Sequence, residues 1–245
     1  MLLSRRDGPV VRGSRQHANN RLRRDAPRPP APANAPRDSH TLGEAVRHPA
    51  FWKLALAFSA NVFIFSALAV HLIPLLQSLG HAAGTAVLLA ALVGPMQVAG
   101  RIGERTLARD TAPQAVGRFV FATLPFGLLA LALVGAEAWG VVLFCMLYGM
   151  SNGVLTIIRG TLPRALFGAR NYGAITGAMA VPSLLAKAVG PLVGAALLSG
   201  AGGPLTLPLV LTGFAVASLL LYLSAIRQPA AQAGALPSGA PGPGA

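Results

Sequence analysis

Lys187 stands in the stretch VPSLLAKAVGP (residues 181–191), inside an apolar run from Tyr172 to Leu198. An ammonium group in such surroundings is costly unless something pairs with it. At 100° per residue, Thr176, Ser183 and Lys187 fall within about 40° of one another on a helix, and Gly194 continues the line. Helical rise places Lys187 about 3 Å from the midpoint of its run. A lysine that snorkels to water normally sits near a helix end, so this stripe is expected to face a water-filled cavity.

Other polar residues fall into faces of the same kind. Cys145, Tyr148, Asn152, Thr156 and Arg159 share one side of a second apolar run. There Asn152 reads equally as a solute contact or as helix–helix glue, and Arg159 as a gate or as a topology anchor. Gln97, Arg101 and Glu104 share a face of a third run. Arg101 and Glu104 are three apart and can pair, as a gate or as a structural clamp. Asn61 and His71 lie in a further run without sharing a narrow face. His71 reads as a proton site or as a hydrogen-bonded structural histidine.

All seven Asp and Glu residues lie outside the interiors of these runs or at their ends. A mid-membrane proton relay of the usual Asp/Glu kind is therefore not encoded in this chain. A cation without a carboxylate partner needs another counter-charge. A bound anion supplies one; a backbone carbonyl or a residue elsewhere is the structural alternative for Lys187.

The elements that must carry these residues follow from composition. The 245 residues are 53% hydrophobic and 11% charged, against about 25% charged in soluble domains. Six stretches, near 52–76, 83–102, 117–136, 138–160, 172–198 and 204–226, are long and apolar enough to cross a bilayer as helices. Pro95 and Pro125 interrupt the second and third, which membrane helices tolerate. The expectation is an all-α membrane protein with six transmembrane helices and the lipid bilayer as its surroundings.

Charge sets the topology. Arg101, Arg105, Arg109 and Arg118 flank one inter-span loop, Arg159, Arg164 and Arg170 flank another, and Arg227 follows the last span. The loops QSLGHAA, AEAWG and SGAGGP contain no Lys or Arg. By the positive-inside rule both termini are expected in the cytoplasm. Residues 1–40 carry nine arginines amid Pro, Ala and Asn and read as a disordered basic tail. Thr41, Glu44 and Pro49 then mark a short surface helix with a capping box, and Trp52 an interfacial anchor. The six-helix domain takes 41–228 and a flexible tail 229–245. The start of the chain lacks the apolar core of a signal peptide.

The pairs Gly149/Gly153, Gly173/Gly177 and Gly190/Gly194 have the small-xxx-small spacing that lets helices approach closely. Ala91, Pro95 and Ala99 in the second span repeat in Ala178, Pro182 and Ala186 of the fifth. Those spans run in opposite directions, as an inverted three-plus-three repeat requires.

RHPAFWKLALAFSANVFIFSALAVHLIPLL, GPMQVAGRIGERTLARD and YGMSNGVLTIIRGTLPRALFGARNYGAITGAMAVPSLLAKAVGPLVGAALL together resemble the second six-helix half of a bacterial major facilitator superfamily transporter. The resemblance covers residues 41–227 and implies a secondary carrier in the inner membrane. Such carriers have twelve helices in two halves, and solute crosses between them by alternating access. It therefore implies a partner: a missing N-terminal half, for which the Arg/Pro-rich start would be the joining loop, or a second copy. Either this chain is a fragment, which is the expectation, or it is a half-transporter. The first, second, fourth and fifth spans would line the cavity. Lys187, Ser183, Thr176, Asn152, Thr156, Tyr148, Gln97, Asn61 and His71 would then be the candidate solute contacts, and Arg101, Glu104 and Arg159 the candidate gate. Relatives that carry oxalate or monocarboxylates use basic cavity residues, which makes a small organic anion the leading substrate class. Efflux of drugs or sugars is the alternative, as is a non-transporting fragment or partner subunit.

Other classes lack support. G-x-S-x-G, H-E-x-x-H and paired intramembrane acids are absent, so no enzyme is expected. Cys145 is the only cysteine, which excludes an intrachain disulfide or a cysteine metal cluster; no cofactor or metal is expected. The net charge of +13 sits in the tail and at span ends, which fits anionic lipid and not nucleic acid.

Overall fold

A computed structural model describes residues 40–107, 111–200 and 202–227. The expectations for the two tails fall almost wholly outside these residues, as does Arg109. Eight helices are found among the described residues: α1 (Leu42–Arg47), α2 (Pro49–Ser78), α3 (Ala83–Ala91), α4 (Val93–Leu107), α5 (Pro113–Val134), α6 (Ala138–Phe167), α7 (Tyr172–Ser199) and α8 (Thr206–Ile226). With α3 and α4 taken together, six helical segments are long and apolar enough to span a membrane.

Local chemistry sets the boundaries. In α1 the Thr41 N–H donates to Glu44 Oε2 at 2.8 Å, and the Glu44 N–H donates to Thr41 Oγ1 at 3.3 Å. This reciprocal capping box is the one the sequence predicts. Pro49 ends α1 and becomes the first residue of α2, where His48 Nδ1 accepts from the Ala50 N–H at 3.2 Å. A proline at the first helical position costs nothing, because its N–H would have no partner there. The second span is broken at Leu92. Pro95 has no N–H to offer the Ala91 carbonyl, so the turn before it loses a bond and α4 restarts. The fourth span runs past the expected 160 to Phe167, across Pro163. Leu162 and Phe167 are both buried in a cluster with Phe51 and Ala45, and that packing holds the helix together beyond the proline. Gly168, at φ +82°, then ends it.

The core is two clusters stacked along the bundle. One, at the Arg-rich end, joins Phe51, Leu54, Phe58, Phe121, Ile158 and Tyr222; the other joins Leu68, Leu72, Leu128, Phe144 and Leu211. The main helix pairs are α2 with α7, α4 with α6, α5 with α6, α2 with α8, and α5 with α8. Exchanging the first span with the fourth, the second with the fifth and the third with the sixth maps this set onto itself. The packing therefore has the pseudo-symmetry of an inverted three-plus-three repeat.

Coverage is uneven. Within their most apolar windows, half or more of the residues of α2, α5 and α6 are buried, against 17% in the second span and 11% in α7. The second and fifth spans thus present open faces. Val181, Leu184, Leu185 and Leu192 of α7 are exposed apolar side chains on that surface.

Candidate functional site

The glycines decide where α7 and α4 touch the bundle. A Cβ on Gly190 would lie 2.8 Å from the Phe63 carbonyl, and one on Gly194 would lie 2.6 Å from the His71 ring. On α6, a Cβ on Gly149 would meet Met96 and one on Gly153 would lie 2.2 Å from the Gln97 carbonyl. Two of the three glycine pairs are therefore close-approach faces, both in the second repeat and each packed on a helix of the first. Gly173 and Gly177 have open space around them and make no such contact.

The α2–α7 seam is also polar. Ser59 Oγ donates to the Ala55 carbonyl at 2.7 Å and lies 3.2 Å from Ser183 Oγ. One stretch further along, Ser66 Oγ donates to the Lys187 carbonyl at 2.6 Å. His71 Nε2–H donates to the Pro191 carbonyl at 2.9 Å. These bonds answer a backbone question. Pro191 cannot donate to the carbonyl four residues earlier, which is that of Lys187, and Ser66 supplies the missing donor across the helix interface. Lys187 itself lies on the exposed face of α7, one turn from half-buried Ser183.

Beside this seam, α2, α6 and α7 enclose a cavity of about 80 Å³ lined by Phe58, Arg159, Pro163, Thr176, Met179, Ala180 and Ser183. The Arg159 guanidinium rests 5.8 Å from the Phe58 ring centroid, and its Nη2 donates to the Phe58 carbonyl at 3.3 Å. Its Nε–H is buried with no partner, and so is the hydroxyl oxygen of Thr176. The structure thus brings Arg159, Thr176 and Ser183 together, with Lys187 one turn beyond them.

The remaining candidates lie elsewhere. Asn61 is buried between α2 and α8, where its Nδ2 donates to the Ala57 carbonyl at 3.1 Å and to Ser218. Tyr148 is buried against α2: it stacks on Phe144, packs against Phe65 and donates to the Phe65 carbonyl at 3.4 Å. Thr156 is exposed and returns its hydroxyl to the Gly153 carbonyl. Gln97 and Asn152 are half-buried. Arg101 is exposed and Glu104 half-buried on α4. The stripe expected on the fourth span therefore divides, with its Tyr148 end in the core and Arg159 in the cavity.

Phe58, Ser59, Ser66 and Pro191 were not among the candidates. Two signals were available. Ser59 and Ser66 are seven apart on one face of α2, and Pro191 follows Lys187 by the spacing that strips a carbonyl of its donor.

A search of the curated proteins finds no match to this chain. The Major Facilitator Superfamily model matches residues 10–191. That range starts within the Arg/Pro-rich segment, covers well over half of the chain and ends in the middle of α7. With six apolar helices packed in pseudo-symmetric pairs, the chain belongs to the Major Facilitator Superfamily and is a multi-pass membrane transporter of the secondary type.

Proposed function

We propose that this chain is the second six-helix half of an alternating-access carrier for a small organic anion, a carboxylate above all. The observation that supports this is the charge inventory. Lys187 occupies the middle of α7 on its exposed face, Arg159 lines the adjoining cavity, and no Asp or Glu lies in the interior of any span. A cation held in a membrane without a carboxylate partner is costly; a solute that brings the negative charge offsets that cost. The open faces of α7 and α4 would meet the other six-helix half, whether a further segment or a second copy, and solute would pass between the two. The Arg-rich end and both termini would face the cytoplasm of a bacterial inner membrane.

Uptake of radiolabelled monocarboxylates and dicarboxylates into proteoliposomes holding this chain with its completing half tests the reading. Lys187→Gln is expected to reduce uptake of the transported anion at least about tenfold, the scale of one charge-assisted contact. Unchanged transport of every anion by Lys187→Gln would overturn it.

A further inference from the structure

The cavity between α2, α6 and α7 holds more donors than it uses. Arginine carries five N–H groups in a planar fork. Arg159 gives one to the Phe58 carbonyl, and its Nε–H is buried and unpartnered. Thr176, also in the lining, has a buried hydroxyl with no partner either. This is not how threonines behave elsewhere in the bundle: Thr123, Thr156, Thr161 and Thr212 each turn the hydroxyl back on a carbonyl of their own helix. Ser183, the third polar group in the lining, is already engaged: the single Ser59 proton goes to the Ala55 carbonyl, so in the 3.2 Å contact between the two hydroxyls Ser183 donates to Ser59. Buried donors are normally paired, and each one left unpaired is unfavourable. Two residues with an orphaned polar group thus line one cavity, which suits it to an acceptor.

We infer that this cavity is a carboxylate subsite, with Arg159 supplying the charge and Thr176 the flanking hydroxyl donor. It rests on the anion-carrier reading above and adds to it a cation other than Lys187. The chemistry selects a carboxylate. A guanidinium meets two oxygens side by side in one plane, and the other walls, Phe58, Pro163, Met179 and Ala180, are apolar. The cavity is small, about 80 Å³. A tetrahedral phosphate would leave oxygens against those apolar walls without donors.

The full chain in lipid nanodiscs can be unfolded thermally at fixed ionic strength in sodium acetate, sodium malonate, sodium phosphate or sodium chloride. Acetate and malonate should raise Tm; phosphate and chloride should not. Thr176→Val carries the sharpest expectation. It removes an orphaned hydroxyl, so Tm without carboxylate should rise or hold, while apparent carboxylate affinity falls at least about tenfold, as for one hydrogen bond to a charged group. A purely structural threonine would not separate these two readouts. Arg159→Lys should weaken carboxylate binding and Arg159→Gln abolish it. The inference is overturned if Thr176→Val leaves the carboxylate-dependent shift intact, if phosphate or chloride stabilises as well as acetate, or if no carboxylate shifts Tm in the unmodified chain. If Lys187→Gln abolishes transport while Thr176→Val keeps full carboxylate binding, the subsite is wrong and the carrier reading stands. If Thr176→Val and Arg159→Lys weaken binding while Lys187→Gln transports normally, the subsite stands and the role given to Lys187 falls.

Discussion

The Ser66 hydroxyl on α2 donates to the backbone carbonyl of Lys187 on α7, 2.6 Å away. It takes the place of the N–H that Pro191 lacks. The one lysine at mid-span therefore has its backbone fixed by the first span, while its side chain remains on the open face of the fifth. Position and exposure of that charge are set by different atoms.

If this is so, Ser66 and Pro191 are energetically coupled. Ser66→Ala should cost about 1 kcal/mol, the usual scale of a hydrogen bond between membrane helices. Pro191→Ala restores an N–H that reaches the Lys187 carbonyl within α7. In that background Ser66→Ala should cost close to nothing. A double-mutant cycle on unfolding in detergent reads the difference; equal costs in the two backgrounds would show that the Ser66 bond is not a substitute for the lost helix bond.

The glycines divide by what surrounds them. Gly153→Ala brings a Cβ to 2.2 Å from the Gln97 carbonyl, and Gly190→Ala brings one to 2.8 Å from that of Phe63. Backbone atoms cannot swing aside, so each substitution should separate a helix pair and cost about 1–3 kcal/mol, as overpacking does. Gly173→Ala and Gly177→Ala meet nothing within 4 Å. In a helix alanine is favoured over glycine by up to about 1 kcal/mol, so these two should leave stability unchanged or raise it. Melting temperatures of the four single variants check the contrast, and a loss at Gly173 matching that at Gly153 would contradict it.

Spans were legible because crossing lipid needs a long apolar run, which sequence shows directly. The break at Leu92 followed from Pro95, but the extension of α6 across Pro163 did not. It depends on Leu162 and Phe167 packing on α1 and α2, contacts made by residues more than a hundred positions away. The site was legible in part for the same reason. Thr176, Ser183 and Lys187 share a face by periodicity alone, yet whether that face meets a partner is a tertiary matter. Ser59 and Ser66 look like hydroxyls that satisfy themselves within α2; their partners on α7 are 124 and 121 residues away. Asn61 shows the converse. A buried amide in an apolar span looks like a solute ligand until its Nδ2 is seen to donate to Ala57 and to Ser218 of α8; only its Oδ1 is left without a partner.

The capping box of α1 predicts a pH dependence. The Thr41 backbone N–H, and then its side chain, hold the Glu44 carboxyl below its ordinary value of 4.5. A depressed carboxylate stabilises above the unfolded-state value, and that contribution is lost as pH falls through the folded-state value. The box should therefore be unchanged at neutral pH and open only on acidification below about 4.5. Trp52 reports on it, because its indole N–H donates to the Val46 carbonyl of α1 at 2.9 Å. In a Trp139→Phe background the Trp52 emission should shift with a midpoint under that value, and Thr41→Ala should move the midpoint upward. A midpoint indifferent to Thr41 would separate Glu44 from the cap.

The last prediction concerns what position 187 touches. Cys145 is the only cysteine and is fully buried between α2 and α6 neighbours such as Leu68 and Phe144, so the folded chain should resist a charged maleimide without further mutation. Lys187→Cys then introduces one reactive site. A thiolate, which is the reacting form, does not persist among acyl chains, because an unpaired charge there is too costly. Labelling by a membrane-impermeant maleimide thus requires water at that depth. Lys187→Cys should react within minutes, Val181→Cys and Leu192→Cys, about 120° and 140° round the helix from it, should show whether the wet surface extends round α7, and a carboxylate solute should slow the reaction at 187. If 187 labels only with lipid-soluble reagents, the open face of α7 meets acyl chains, and the lysine must find its counter-charge in lipid headgroups instead of a solute.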